Sequence, residues 1–367
     1  MTLTIAIFWP PPPHETTVER YQEIADAGID LVITGNYLND LVILEHALVC
    51  ADKAGLGMLV ASDPRIDVLM RDLDVSEEQT RALIGKVIDD YEDHPSFRGI
   101  SLMDEPHPER YERLAVGVAA VRDRGHLAYV NLFPSHATGE YDAYVGGFVD
   151  TVRPDLVSFD RYPFLSDGED DGYFADLSVI REHATRAGVP AWMYVQTLGY
   201  EGHRTPTATE IAWQVNTALA YGYKGIQYFT YWTPDPARGE HFRPALLQDG
   251  TPTERYGAVR QLNNDWLRPV GDELSRLTWR SVGHTGPVPA GAQALRPGIV
   301  EAGSVVVGEY GDQHLFVCNA SFGKPTEVTI AATGLTAFDP ATTSYQDCAS
   351  TFSLSPGAAR LLRLRRG

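Results

Sequence analysis

Apolar residues fall in short, nearly unbroken runs along the first three-quarters of the chain. Eight are legible: TIAIFW (4–9), DLVITG (30–35), GMLVAS (57–62), GISLMD (99–104), AYVNLF (128–133), DLVSFD (155–160), AWMYVQ (191–196) and GIQYFT (225–230). Rich in β-branched and aromatic residues, they read as strands buried on both faces, the pattern of a parallel sheet covered by helices. Amphipathic segments lie between them. Thr16 with Glu19, and Thr207 with Glu210, fit a helix-start box in which hydroxyl and carboxylate each satisfy a free N–H. Gly28, Gly55 and Gly222 stand where helices should end in a left-handed residue. Eight strand–helix units in about 275 residues predict a (β/α)8 TIM barrel, whose usual size is about 250. An open doubly wound sheet fits less well, because the first run leads into PPPP and no GxGxxG occurs.

Near residue 280 the texture changes. SVVVGEY (304–310), HLFVCNAS (314–321), TEVTIAA (326–332) and AARLLRLR (358–365) are short runs broken by Gly, Pro, Asn and Asp. They predict a small C-terminal antiparallel β-sandwich. The expected domains are 1–278 and 279–367, with GHTGPVPAGA (283–292) as the linker.

Charge narrows the partners. The 49 acids against 30 bases give a formal net charge of −19, which repels nucleic acid and anionic membrane, so neither is expected as a partner. No stretch is long and apolar enough to span a bilayer. MTLTIAIFWPPPP has no basic n-region and reads as a core strand rather than a signal peptide. Cys50, Cys318 and Cys348 lack metal spacing and read as reduced thiols of a cytoplasmic protein, with a Cys318–Cys348 disulfide the lesser reading. DGEDDG (167–172) partly imitates a calcium loop, but Glu169 and Ser178 stand at two ligand positions, so it reads as a solvated loop.

A TIM barrel presents its chemistry at the C-terminal ends of its strands. The polar and aromatic residues there are Trp9, Asn36, Tyr37, Ser62, Asp63, Asp104, Glu105, Asn131, Asp160, Arg161, Tyr162, Gln196, Tyr231 and Trp232. The set holds carboxylates, amides and aromatic rings. It has no nucleophile elbow and no histidine set, so neither metal nor cofactor is expected and a metal-dependent hydrolase is disfavoured. Paired carboxylates supply the acid and base of glycosidic cleavage, and amides with aromatic faces suit sugars.

Three segments resemble the TIM-barrel glycoside hydrolases of clan A. Asp104-Glu105-Pro106 ends the fourth run, where that clan commonly has Asn-Glu-Pro. LLQDGTPTERYGAVRQLNNDW (246–266) is similar to the segment that opens its last helix. RTPTATEIAWQVNTALAYGYKGIQYFTYW (204–232) is similar to its seventh helix and eighth strand. The resemblance implies that Glu105 is the acid/base residue and that carbohydrate is the substrate. It departs at the end of strand seven, where the clan's nucleophilic Glu is replaced by Gln196. The second carboxylate is then expected to be Asp160, with Glu201, five residues past Gln196, as the other candidate. Trp9, Asn36, Tyr37, Asp63, Asp104, Asn131, Tyr162, Gln196, Glu201, Tyr231 and Trp232 are the expected sugar contacts. A non-catalytic glycan-binding protein on the same scaffold is the alternative.

Overall fold

Eight parallel strands close into a barrel: β1 (Thr4–Phe8), β2 (Leu31–Ile33), β3 (Gly57–Val60), β4 (Phe97–Asp104), β5 (Leu127–Leu132), β6 (Val157–Phe159), β7 (Ala191–Gln196) and β8 (Gly225–Phe229). The computed structural model describes residues 2–35, 40–61, 63–71, 74–332 and 334–365. Closure comes from β1, which pairs with β2 on one side and with β8 on the other, Thr4 opposite Gly225 and Ile7 opposite Tyr228. Each strand coincides with one of the eight apolar runs. The intervening helices include α1 (Val18–Asp26), α2 (Leu41–Ala54), α3 (Pro64–Arg71), α4 (Glu77–Tyr91), α5 (Tyr111–Arg122), α6 (Tyr141–Val152), α7 (Tyr173–Ala187) and α8 (Ala208–Ala220). Their apolar faces and the outer face of the barrel form one continuous core, with Leu48, Ile84, Val118, Phe148, Ile180 and Val215 inaccessible to solvent.

Helix ends follow local chemistry. Thr207 and Glu210 form the predicted reciprocal box at the start of α8. At α1 the cap is Thr17, whose hydroxyl accepts from the Arg20 N–H; the predicted Thr16 turns its hydroxyl back to the carbonyls of Pro11 and Pro12. With two adjacent threonines, the proline run upstream decides which one caps. Gly28, Gly55 and Gly222 all have positive φ.

The C-terminal unit contains a six-stranded antiparallel sheet that starts with β9 (Trp279–His284) and a three-stranded sheet that starts with β10 (Val300–Ala302). Ile299, Val305, Val317, Val328, Leu354 and Leu362 fill the space between them. The Gly/Pro-rich segment 283–292 does not separate the units as a linker. Strand β9 already pairs with β11 (Val305–Tyr310), so the segment's first two residues, Gly283 and His284, end β9 and the rest is a loop within the sandwich. The sandwich sits on α8. Trp279 Nε1 donates to the Ala220 carbonyl at 3.0 Å, Trp213 Nε1 to Ala320 at 3.1 Å, and Asn216 Nδ2 to Gly357 at 2.8 Å. A methyl group on Gly308 of β11 would stand 2.3 Å from the Ala220 carbonyl oxygen, so only glycine allows this approach.

Cys50, Cys318 and Cys348 are free thiols. Among the described residues no helix is long and apolar enough to cross a membrane.

Candidate active site

The parallel register brings the ends of β4, β5 and β6 level. Asp104 lies opposite Asn131, and Asn131 opposite Ser158, two residues before Asp160. Asn131 Nδ2 donates to Asp160 Oδ1 at 2.7 Å and to Asp104 Oδ1 at 3.2 Å, so one amide holds two carboxyl groups side by side. Beneath it, Ser158 Oγ donates to Asn131 Oδ1 at 2.9 Å, and Gln227 Nε2 donates to Ser158 Oγ at 2.9 Å. A hydroxyl has one proton, and Ser158 spends it on the amide oxygen. That directs the Asn131 N–H groups at the acids. Tyr129 Oη closes the layer by donating to Gln227 Oε1 at 2.7 Å.

Glu105 follows Asp104 with φ 49°, a left-handed conformation that costs a non-glycine residue about 1–2 kcal/mol. Its N–H donates to the Asn131 carbonyl at 2.8 Å. Trp9, at the end of β1, has φ 65°. Strain of this kind persists only where the surroundings enforce it. The turn after Glu105 is clamped by Tyr144 Oη, which donates to the Pro106 carbonyl at 2.9 Å. Pro106 does not begin a helix directly. A 3-10 turn over Pro108–Arg110 intervenes, and α5 starts at Tyr111. On the far side of Asp160, the buried guanidinium of Arg161 pairs with Asp170 at 2.5 Å and with Asp176 at 2.8 Å. This fixes the β6 end, since breaking a buried pair costs about 3–5 kcal/mol. Asp170 belongs to the acidic stretch 167–172, so that loop braces the site through Arg161.

Asp104, Glu105 and Asp160 line a cleft of about 570 Å³ at the mouth of the barrel. They face its water while low-dielectric walls surround them. Glu105 is pushed up to about 7, first by desolvation and then by the neighbouring Asp104 charge. Asp160 is held well above the usual carboxylate range by desolvation, then by Glu105 and Asp104. Desolvation also raises Asp104, and the Asn131 hydrogen bond partly offsets it. Like charges in one site cannot all ionise cheaply, so protons stay on the cluster near neutrality.

The cleft also contains Trp9, Asn131 and Tyr162 from the predicted contacts. Trp9 is not an open platform: Arg238 lies 4.4 Å from the centre of its ring, and Phe242 packs edge-on against it. Five other predictions are placed elsewhere. Asp63 is fully buried, ion-paired with Arg65 at 2.7 Å and accepting from Tyr91 Oη at 2.8 Å, so it anchors α3 to α4. Tyr231 and Trp232 are buried outside the cleft, Tyr231 against Tyr256 and Trp232 beneath Arg20. Gln196 is fully buried as well. Its Nε2 donates to the carbonyls of Arg204 (2.8 Å), Leu198 (3.2 Å) and Phe164 (3.4 Å), while Oε1 accepts from Phe164 N at 3.2 Å. Its amide is consumed by backbone and does not reach the cleft. Glu201 lies on an exposed turn outside the cleft lining. Asn36 and Tyr37 fall outside the described residues.

Several cleft residues escaped the strand-end rule. Tyr129 and Tyr194 lie two residues before Asn131 and Gln196, the spacing at which side chains share a face of a strand. Arg238, Glu240 and Phe242 come from the long loop after β8, Phe229 from β8 itself and Tyr200 from the loop after β7. Tyr162 stacks on Phe229 with ring centroids 5.0 Å apart.

The coupling of Asp104 to Glu105 makes a pH prediction. A general acid works while protonated, so with Glu105 in the role the resemblance implies, kcat/KM is expected to fall as pH rises through about 7, where Glu105 loses its proton. Asp104→Asn removes the adjacent negative charge and lets Glu105 ionise sooner, so this alkaline limb is expected to move to lower pH. Desolvation is the larger cause and remains, so the limb should stay above the value of a free glutamate. A pH–rate profile that is unchanged in the variant would disprove the coupling.

No family model matches the sequence, and no curated protein matches it. Solved structures do. A β-galactosidase from Bacillus circulans sp. alkalophilus superposes with a TM-score of 0.63 at 10% identity, covering 99% of both chains. A glycoside hydrolase family 5 protein from Bacteroides vulgatus gives 0.61 at 12% identity, over 99% of this chain and 89% of that one. A β-galactosidase from the psychrophilic Marinomonas ef1 gives 0.57 at 13% identity over 75% of this chain, which spans 62% of that protein's length. At these identities the likeness concerns the fold, and that fold is the one glycoside hydrolases use.

Proposed function

We propose that the protein is a glycoside hydrolase acting on a small oligosaccharide or glycoside, with Glu105 as general acid and Asp160 as second carboxylate. One observation carries the reading: three carboxyl groups converge from the ends of β4 and β6, on either side of β5, in an aromatic-walled cleft, and the one at position 105 keeps its proton up to about 7. A group that is protonated near neutrality and faces a sugar-sized cleft can protonate a leaving oxygen. Asp160 stands across Asn131 from the Asp104–Glu105 corner, two strands away from β4. In this reading the shared proton rests on Glu105, which removes that like charge from beside Asp160 and lets Asp160 ionise. Asp160 takes a proton from water, the water oxygen attacks the anomeric carbon, and the leaving oxygen takes the proton of Glu105. The product has inverted configuration.

The test is turnover. A panel of α- and β-linked gluco- and galacto-oligosaccharides is incubated with the protein and the release of reducing ends is followed. The β-galactosides belong in it because two of the similar structures carry that activity in their names. Release on any member, lost in Glu105→Gln, supports the reading. The buried Gln196 amide favours a second reading, a glycan-binding protein without turnover. Saturable binding by calorimetry with no released reducing end would establish it.

A further inference from the structure

Hydrolysis with an acid and a base accounts for Glu105 and Asp160. Asp104 is a third carboxyl group, one residue from the acid, and it shares the Asn131 amide with Asp160. Its second oxygen has no hydrogen-bond donor among the described residues, and it is open to the water of the cleft. Among the described cleft-lining residues no free cation faces Asp104 or Asp160: the basic side chain there is Arg238. Arg238 is already engaged, by Glu240 at 2.9 Å and by the Trp9 ring. A separate feature points into the same space. Tyr162 is 7% exposed and lines the cleft, and its hydroxyl has no hydrogen-bond partner among the described residues. A hydroxyl at the tip of a largely buried ring, unpartnered by the described residues and lining a cleft, takes its partner from water or from a ligand.

We propose that the substrate supplies the missing positive charge: it is a 2-amino-2-deoxyglycoside whose C2 ammonium group lies against Asp104, with the Tyr162 hydroxyl bonded to the same sugar. This rests on the glycoside hydrolase reading of the cleft. The position on the sugar follows from the chain. Glu105 must reach the glycosidic oxygen, and Asp104 is its neighbour, so the charge that Asp104 meets lies next to the scissile bond. C2 is the ring carbon beside the anomeric centre that carries a variable substituent. The reaction gives a reason for the third acid. An ammonium group at C2 withdraws electrons from the anomeric carbon and opposes the oxocarbenium-like transition state. A carboxylate beside the ammonium offsets that field, and a low-dielectric cleft strengthens the pairing. A 2-acetamido or 2-hydroxy sugar is neutral and leaves Asp104 unmatched.

The experiment compares three matched 4-nitrophenyl glycosides that differ only at C2, as amine, acetamide or hydroxyl, in gluco and galacto configuration. Binding is measured by calorimetry on Glu105→Gln, which does not require turnover, and hydrolysis on the unaltered protein. The amine is expected to bind about 10-fold or more tighter than both neutral partners, the worth of about one charge-assisted hydrogen bond. The preference should shrink as salt is added. In Asp104→Asn the ratio of amine to hydroxyl affinity should fall toward one. If that variant does not fold, the salt series on the unaltered protein decides. Equal or weaker binding of the amine, or a preference insensitive to salt, overturns the proposal. So does a preference that survives in folded Asp104→Asn. Hydrolysis of a neutral glycoside with no amine preference sinks this inference and leaves the hydrolase reading standing. Preferred binding of the amine without any hydrolysis keeps the charge inference and removes the hydrolase reading.

Discussion

Replacing Glu105 with Gln is expected to lower kcat/KM on glycosides with poor leaving groups by roughly 100-fold or more, the usual contribution of a positioned general acid. That is about 2.7 kcal/mol of transition-state stabilisation. The substitution keeps the side-chain shape and the strained backbone of residue 105 and removes only the proton. Aryl glycosides with very acidic leaving groups need little protonation, so their loss should be much smaller. The alkaline limb near pH 7 should also vanish, because the group that titrates there is gone. Steady-state kinetics on a matched pair of alkyl and dinitrophenyl glycosides checks all three. Full activity on the alkyl glycoside would mean that Glu105 is not the acid.

Asp160→Asn is expected to reduce turnover by a comparable or larger factor while substrate binding is kept. The amide cannot take a proton from water, and without that step the attack of a neutral water molecule is slow. The change also touches the hydrogen bond that Asn131 donates to Asp160 at 2.7 Å, but an amide oxygen can still accept it. Added azide, already anionic, needs no base and should restore part of the rate. Proton NMR of the first anomer released by the unaltered enzyme then decides the role of this residue. Inverted configuration fits water activation by Asp160. Retained configuration would refute that role and make a carboxylate of the cleft the nucleophile.

Much of the fold could be read before any coordinates, because burial on both faces leaves its mark on every barrel strand. TIAIFW and AWMYVQ have no polar alternation, and only a covered parallel sheet tolerates that. The Asp104–Glu105 corner was legible for a related reason: charge at the end of an apolar run needs either a mouth or a buried partner, and no Lys or Arg stands near 104 and 105 in the sequence before Arg110. What could not be read was the direction of side chains after the strands end. Asp63 follows β3 as a strand-end acid should, yet a partner two residues on, Arg65, draws it into the layer between α3 and α4. Tyr231 and Trp232 follow β8, but the backbone there pairs with Phe8 and Trp9 and turns both rings away from the cleft. Arg238 and Glu240 sit in a loop without periodicity, where neither spacing nor alternation signals which residues fold back over Trp9. Segment 283–292 has a linker's composition, but composition does not reveal that β9 had already joined the sandwich.

Gln196 bears on what a single substitution can do to such a site. At the strand-seven position where the resemblance implies a nucleophilic Glu, the amide is a staple between three stretches of backbone, with three carbonyl oxygens around its Nε2 and one N–H donating to its Oε1. A single change to Glu would not create a nucleophile. It would set an anion with no proton to give against three lone-pair-bearing oxygens, in a spot closed to water. The loops carrying Phe164, Leu198 and Arg204 would have to move before a carboxylate there could be tolerated, let alone face a sugar. Gln196→Glu is therefore expected to destabilise the end of β7 rather than to supply a nucleophile, and a catalytic carboxylate has to come from other strands.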